Sequence, residues 1–273
     1  MSSFKKKEKK EFVNVNKKRI ESRIIKCPEN VDFSKLNISI CIHCANLDIF
    51  KTQINNIKNF ELFNWNRLQY IVNVVVDFVN KDELYSLIEN NFNKGHFIII
   101  KSKNKGLDIG GFLRCLEYVK DDDHIIVKIH TKGRVEWRNG LMKIFTKEGI
   151  YNSVMALQFK NIGMVGNNNQ LWDFYKNVNM SYRPYINKLC NWMNLRYDEM
   201  NLHNGFLIGG TIFMCKKNIL NDIIKYRNNL YQLCNERDNY YENRDAFKFE
   251  LTMERFFGYI VYHYNKNIIG LIS

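Results

Sequence analysis

Residues 38–43 read ISICIH, residues 47–60 read LDIFKTQINNIKNF and residues 68–77 read LQYIVNVVVD. The first and third segments are rich in β-branched and other apolar residues, which is typical of buried strands. The middle segment carries its apolar residues at helical spacing. A strand, a helix and a second strand in this order predict two parallel strands joined by a helix.

The same alternation continues along the chain. We predict, in order, a helix over 81–92, a strand over 96–101, a helix over 108–119, a strand over 124–130, strands over 162–166 and 206–215, and a helix over 247–264. Helices dominate beyond residue 133. The sequence therefore predicts an α/β fold with a mainly parallel sheet flanked by helices and a helical C-terminal part.

The charge of the chain is concentrated at its N-terminus. The 273 residues carry a net charge of +13, and residues 1–26 hold ten Lys or Arg against three Glu. We predict a basic arm over 1–36 that stays solvated or contacts an anionic membrane surface. Binding to nucleic acid is the least favoured interpretation, because the excess charge lies in one tail and no nucleic-acid motif accompanies it.

Targeting signals are lacking in the sequence as given. Basic residues at the start are not followed by an apolar segment, and nowhere do about eighteen apolar residues run together. Seven scattered cysteines do not form a disulfide pattern. We expect a cytoplasmic protein without a signal peptide or transmembrane helix, with attachment to a membrane surface as an alternative.

The loop after the third predicted strand is rich in glycine. It reads NKGLDIGG over residues 104–111 and leads into a helix. Glycines such as Gly106 allow the backbone to approach a ligand, and Asn104 and Asp108 offer polar groups there. Asp108 either binds hydroxyl groups of a ligand or caps the helix that follows, and the spacing leaves both readings open.

The fourth predicted strand ends in charged residues. Alternation points Lys128, His130 and Lys132 to one side, with Arg134 and Arg138 soon after. Either these side chains hold a bound anion, or the strand ends at Ile129 and a solvated loop follows. An acidic run over residues 121–123 precedes this strand, so we expect it to form a solvated turn at the opposite edge of the sheet.

Four segments together resemble the rhamnan synthesis protein F family, a set of glycosyltransferase-like proteins of polysaccharide assembly. They are NKGLDIGGFL at 104–113, IHTK at 129–132 followed by Trp137 and Arg138, GGTIFM at 209–214, which contains Thr211, and ERFFG at 254–258. The resemblance covers roughly residues 38–260. It implies a GT-A-like nucleotide-sugar fold, with a donor half over about 37–133 and an acceptor half over about 134–273 of a domain spanning 37–273.

The resemblance also implies a function and a site. The function is hexosyl transfer, of the rhamnosyltransferase kind, from a nucleotide-diphosphate donor to a glycan or lipid-linked acceptor. A His and Lys arrangement replaces the Asp-x-Asp motif, so a divalent metal is not expected, although it is not ruled out. The implied donor-binding and substrate-binding residues are Asn104, Gly106, Asp108, Lys128, His130, Lys132, Trp137, Arg138 and Thr211.

Glu254 is the candidate catalytic base, because a carboxylate at the edge of a cleft suits proton abstraction from an acceptor hydroxyl. Glu250 is the reserve, and pairing of Glu254 with a neighbouring basic residue is the alternative. Trp172 and His203 join Trp137 as candidates for contact with sugar rings. A non-catalytic carbohydrate-binding or nucleotide-binding module of the same fold remains the main competing hypothesis.

Overall fold

The computed structural model describes residues 31–131, 133–174, 182–235 and 248–271. Its strands are β1 Asn37–Cys44, β2 Arg67–Val75, β3 His96–Ser102, β4 Ile125–His130, β5 Ile162–Asn167, β6 Leu171–Asp173, β7 Phe206–Ile208, β8 Phe213–Lys216 and β9 Asn267–Leu271. Its α-helices are α1 Leu47–Lys58, α2 Lys81–Asn91, α3 Leu107–Cys115, α4 Val135–Met142, α5 Lys147–Gln158, α6 Arg183–Trp192, α7 Glu199–Asn204, α8 Asn221–Gln232 and α9 Lys248–His263.

Seven strands form one sheet in the order β3-β2-β1-β4-β8-β5-β9. Strand β1 pairs in parallel with β2 and with β4, and β2 pairs in parallel with β3. Strand β8 runs antiparallel to both β4 and β5. Strands β6 and β7 form a separate antiparallel pair. The predicted α/β class with a mainly parallel sheet is confirmed.

Both faces of the sheet are covered by helices. One apolar cluster joins residues of α1, α2 and α5 to one side of β1, β2 and β4. A second cluster joins residues of α3, α8 and α9 to the other side. All eight residues of β1 are buried, which explains why its sequence lacks the polar alternation of a half-exposed strand. No helix within the described ranges is long and apolar enough to cross a membrane.

The order of the strands reverses at β1. Strand β2 lies on one side of β1 and β4 lies on the other, and α3, which precedes β4, packs on the opposite face from α1 and α2. In open α/β sheets, ligands bind beyond the carboxyl ends of the strands at this kind of switch point. The fold therefore directs attention to the ends of β1 and β4.

One predicted strand is wrong. Residues 206–215 were expected to form a single strand, but β7 and β8 belong to different sheets and a turn separates them. Gly210 and Thr211 have φ values of +81° and +51° in this turn. Backbone in the left-handed region cannot continue a strand. The helix predicted over 108–119 is also shorter, since α3 ends at Cys115.

The packed part of the chain begins before residue 37. Phe33 lies in a 3₁₀ turn and stacks on Phe63 with ring centroids 4.5 Å apart, and it meets Trp65 edge-on at 4.9 Å. The rest of the predicted basic arm, residues 1–30, lies outside the described residues. Strands from both predicted halves share the large sheet, because β8 pairs with β4.

Candidate functional site

A buried ion pair occupies the switch point. The Lys128 Nζ of β4 lies 2.5 Å from Asp108 Oδ2 in the first turn of α3, and His130 Nδ1 lies 2.9 Å from the same oxygen. Thr211 Oγ1 donates a hydrogen bond of 2.8 Å to it as well. Four predicted site residues, distant in sequence, therefore meet at one carboxylate oxygen. We call this group the Asp108 cluster.

The environment of Asp108 keeps it ionised. Burial disfavours its charge, but the electrostatic effects of His130 and Lys128, together with their hydrogen bonds, outweigh that effect and hold the pKa of Asp108 well below its usual range. Its side chain remains 27% exposed. Oδ1 has no hydrogen-bond partner among the described residues, so one oxygen is anchored and the other remains available.

The ammonium group of Lys128 donates its hydrogen bonds to acceptors within the protein. The side chain is 1% exposed, and besides Asp108 its ammonium donates to the Oγ1 of Thr211 at 2.8 Å and to the carbonyl oxygen of Thr211 at 3.2 Å. Three acceptors match the three protons of an ammonium. The buried charge that suggested a bound anion is balanced by Asp108. Lys128 and His130 do share a face as predicted, while Lys132 lies outside the described residues.

The glycines of the 104–111 loop allow close packing against neighbouring side chains. Gly106 is the N-cap of α3 with φ +72°, so the interpretation of Asp108 as the cap is wrong. A Cβ at Gly106 would lie 2.5 Å from the Sγ of Cys234, and one at Gly111 would lie 2.0 Å from Nδ1 of His43. Their small size lets the loop lie against the end of α8 and lets α3 lie against β1.

Asn104 is a second polar group of this loop with an unused acceptor. The residue is 8% exposed, and its Oδ1 is buried without a hydrogen-bond partner in the described part of the chain. An unpaired buried acceptor is costly.

A further row of polar side chains continues from β1 to β3. Asn73 Nδ2 lies 3.1 Å from Nδ1 of His43, and Ser102 Oγ donates to Asn73 Oδ1 at 2.9 Å. His43 also pairs in register with His130. His43, Asn73 and Ser102 were not predicted as site residues from the sequence. A histidine near the end of a buried apolar strand, the pattern that indicated His130 in β4, was a usable signal for His43 in β1.

Glu254 of α9 reaches the turn between β7 and β8. Its Oε1 accepts a hydrogen bond of 3.1 Å from the backbone N–H of Gly210, next to Thr211 of the Asp108 cluster. Arg255 Nη1 lies 3.7 Å from Oε2, and the Glu254 side chain is 21% exposed. The candidate base is thus joined to the Asp108 cluster through two consecutive residues of one turn.

Glu250, the reserve candidate, has a different environment. It is 3% exposed and accepts a hydrogen bond of 2.6 Å from the backbone N–H of Asn235, just beyond α8. Burial raises its pKa against the effect of these hydrogen bonds. These contacts give Glu250 a structural role in fixing the end of α8 against α9.

An open groove of about 910 Å³ borders the turn. Trp137 and Trp172 stack within it with ring centroids 5.9 Å apart and planes 23° apart. Trp137 Nε1 donates to Gln170 Oε1 at 2.7 Å. The remaining lining residues are Arg134, Val135, Glu136 and Asn169. Sequence reasoning found the two tryptophans but missed most of the polar lining.

Two of the predicted site residues, Arg138 and His203, are outside the described lining of the groove. Arg138 is buried, with 6% exposure. His203 of α7 is exposed, lies 3.9 Å from Glu199 and is outside the described lining of the groove. The structure therefore does not bring His203 to the tryptophans.

The acidic run before β4 lies at the amino edge of the sheet, away from the Asp108 cluster. Arg67, at the start of β2, binds Asp122 at 2.7 Å and Asp123 at 2.8 Å. Asp123 is buried and also accepts a hydrogen bond from Ser39. The position agrees with the prediction, but the segment is an ion-paired structural element rather than a simple solvated turn.

Metal-binding residues do not converge in the described ranges. No group of three or more His, Cys, Asp or Glu side chains there is arranged to hold a metal ion. Cys41 and Cys44, spaced as in some zinc and redox sites, belong to the apolar clusters on opposite faces of the sheet. Burial raises the pKa of Cys44 to about 12.

Comparisons with known proteins find similarity to solved structures only. No protein-family model and no curated protein matches the chain. Among solved structures, 4-diphosphocytidyl-2C-methyl-D-erythritol synthase from Anaerococcus prevotii DSM 20548 is similar, with a TM-score of 0.35 and 11% sequence identity. The similar region covers 52% of this chain and 57% of the length of that synthase.

Proposed function

We propose that this protein is a glycosyltransferase of GT-A-like fold that moves a sugar from a nucleotide-diphosphate donor to a glycan or lipid-linked acceptor. One observation carries the proposal. The Asp108 cluster lies at the switch point of the sheet, where α/β proteins bind ligands, and it presents an anchored carboxylate with one oxygen available. We further propose a cytoplasmic location, with the basic arm as a contact for anionic membranes.

Asp108 is assigned to the donor sugar. Three donors hold Oδ2, so the orientation of the carboxylate is set before a ligand arrives. Oδ1 then accepts hydrogen bonds from sugar hydroxyls, and the buried Oδ1 of Asn104 offers a second acceptor in the same loop. Lys128 positions Asp108 and does not contact the phosphates, because its donors are already used.

Glu254 is assigned as the base. The acceptor hydroxyl transfers its proton to the Glu254 carboxylate while its oxygen forms a bond to the anomeric carbon of the donor. The bond from that carbon to the diphosphate breaks, and the nucleoside diphosphate leaves with the electron pair. The hydrogen bond from Gly210 to Oε1 orients the carboxylate during this step.

The departing diphosphate needs positive charge. Lys132 and Arg138, two residues of the segment that resembles the rhamnan synthesis protein F family, are proposed for this role. Cationic side chains would stabilise the leaving group as a metal does in other transferases. We therefore propose that transfer does not require a divalent metal.

A non-catalytic binding module is the second candidate. It is favoured by the contacts of Glu254, since a carboxylate that accepts a backbone N–H and lies 3.7 Å from Arg255 also has a purely structural explanation. This candidate predicts that nucleotide sugars bind without turnover. The two candidates therefore differ in a single measurable property.

The test measures binding and turnover separately. The full chain is screened against nucleotide sugars by thermal shift, with and without Mn²⁺, because ligands of the native state raise the melting temperature. Release of nucleoside diphosphate is then followed with each donor that binds, in the presence of mixed glycan acceptors. Glu254→Gln is compared with Glu89→Gln, a change of an exposed residue on α2.

We expect Glu254→Gln to bind the donor normally and to lose at least about 100-fold in turnover, the usual contribution of general base catalysis. Glu89→Gln should match the wild type. Equal turnover in Glu254→Gln and the wild type would remove Glu254 from the mechanism. Donor binding without turnover by the wild type would establish a nucleotide-binding module, and no shift with any nucleotide sugar would refute both glycosyl transfer and a nucleotide-binding module.

A further inference from the structure

The groove beside the turn between β7 and β8 combines two stacked indoles with polar side chains. Trp137 and Trp172 lie nearly parallel, and the bond from Trp137 Nε1 to Gln170 fixes the orientation of that indole. Arg134, Glu136 and Asn169 complete the polar lining. Apolar rings flanked by hydrogen-bonding groups match a ligand with an apolar face and a polar edge.

The aromatic pair is joined to the proposed catalytic site by the turn between β7 and β8. A Cβ at Gly209 would lie 2.4 Å from Cε2 of Trp172, and one at Gly210 would lie 3.3 Å from Cε2 of Trp137. The two glycines thus let the turn lie directly against both indoles. Because Gly210 also donates to Glu254, the same turn contacts both the aromatic pair and the proposed base.

We infer that this groove is the acceptor subsite and that it binds pyranose rings of a carbohydrate on Trp137 and Trp172. This inference rests on the proposed function. A pyranose ring has C–H groups on its faces and hydroxyls around its edge, which fits the rings and rims described above. The groove volume of about 910 Å³ is at the upper end of the range for small-ligand sites.

A nucleobase is the main competing occupant, since it also stacks on aromatic rings. The lining favours a carbohydrate, because it offers both signs of charge and two side-chain amides rather than one dominant stacking slot. The Asp108 cluster, which contacts Thr211 of the same turn, is left for the donor. If the groove binds a carbohydrate, a substitution in it weakens glycan binding and leaves nucleotide binding unchanged. If the groove binds a nucleobase, the same substitution weakens nucleotide binding.

The experiment applies the fluorescently labelled full chain to an array of gluco-, galacto-, manno- and rhamno-oligosaccharides without any donor. Trp172→Ala removes half of the aromatic pair. Trp192→Ala is the matched control, because Trp192 is an exposed tryptophan on α6 that contacts Tyr226. Val135→Arg occupies the groove from a residue that is 55% exposed, so it perturbs binding without disturbing the core.

We expect the wild type and Trp192→Ala to retain at least one class of glycan, and Trp172→Ala and Val135→Arg to bind it at least tenfold more weakly. Retention that is unchanged in Val135→Arg, or no retention of any glycan by the wild type, would overturn the inference. The same variants are scored for nucleotide-sugar binding by thermal shift. Loss of nucleotide binding in Val135→Arg would assign the groove to the donor instead.

The two readouts separate the inference from the function on which it rests. Nucleotide-sugar binding with no glycan retention contradicts the acceptor subsite and leaves the proposed donor site intact. Glycan retention that depends on Trp172, without any nucleotide binding, contradicts glycosyl transfer and leaves a carbohydrate-binding groove.

Discussion

Replacing Asp108 by Asn tests the buried ion pair directly. Lys128 is 1% exposed, so the substitution leaves its positive charge in the core without a counter-charge. Removing one partner of a buried pair typically costs about 3 to 5 kcal/mol. We expect about 3 kcal/mol, the lower end of that range, because Thr211 continues to accept two hydrogen bonds from Lys128 and the Asp108 side chain is 27% exposed.

Urea unfolding followed by tryptophan fluorescence measures this loss. With an m-value of about 3 kcal/mol per M, the unfolding midpoint of Asp108→Asn should fall by about 1 M. The pKa of Asp108 is held well below 3.8, so its contribution to stability is complete above that value and is lost as pH falls through the folded-state pKa. The difference between wild type and variant should therefore shrink below about pH 4.

The double variant Asp108→Asn with Lys128→Met provides the control. It removes the unbalanced charge, so it should be more stable than Asp108→Asn alone. Neither variant should bind the donor, because both lack the anchored carboxylate. A midpoint shift of Asp108→Asn below about 0.3 M, or a double variant that is no more stable than the single one, would refute the assignment of a buried charge pair.

Two further predictions concern stability. Gly111→Ala places a Cβ 2.0 Å from Nδ1 of His43 and should destabilise the protein by about 1–3 kcal/mol in urea unfolding. The control Gly140→Ala in α4 meets nothing within 4 Å and should stabilise the protein by about 0.5–1 kcal/mol. Equal changes in the free energy of unfolding for the two variants would contradict the close packing of α3 against β1. Burial raises the pKa of Glu250 above 4.5, so its favourable contribution is present below that value and is lost as pH rises through the raised pKa. Glu250→Gln should therefore gain stability relative to the wild type as pH rises from 4.5, and parallel pH profiles would contradict this.

The long elements were predictable because their own residues specify them. Buried parallel strands such as β1 and β2 have continuous apolar sequences, and α9 repeats its apolar residues at helical spacing. The three-residue strands β6 and β7 were not predicted as separate elements, because their pairing depends on partners more than thirty residues away. The break at Gly210 and Thr211 was equally hidden, since β-branched and aromatic residues surround it.

The residues of the site were easier to predict than their roles. Asp108, Lys128, His130 and Thr211 were all selected from short segments of the sequence. The pattern around Lys128 showed that a buried cation needs a negative partner, but local spacing does not reveal whether that partner is a ligand or another side chain. Asp108 precedes Lys128 by 20 residues and Thr211 follows it by 83, and contacts at such separations depend on the topology of the sheet.

The antiparallel strand β8 explains why these residues meet. Phe213, at the start of β8, pairs with Lys128 near the end of β4. The turn before β8 is therefore at the carboxyl edge of the parallel strands, where Thr211 contacts the Asp108 cluster and Gly210 holds Glu254. A parallel β8 would place this turn at the amino edge, beside Asp122 and Asp123. The single reversal of strand direction next to β4 thus connects the proposed donor site, the proposed base and the tryptophan groove in one turn.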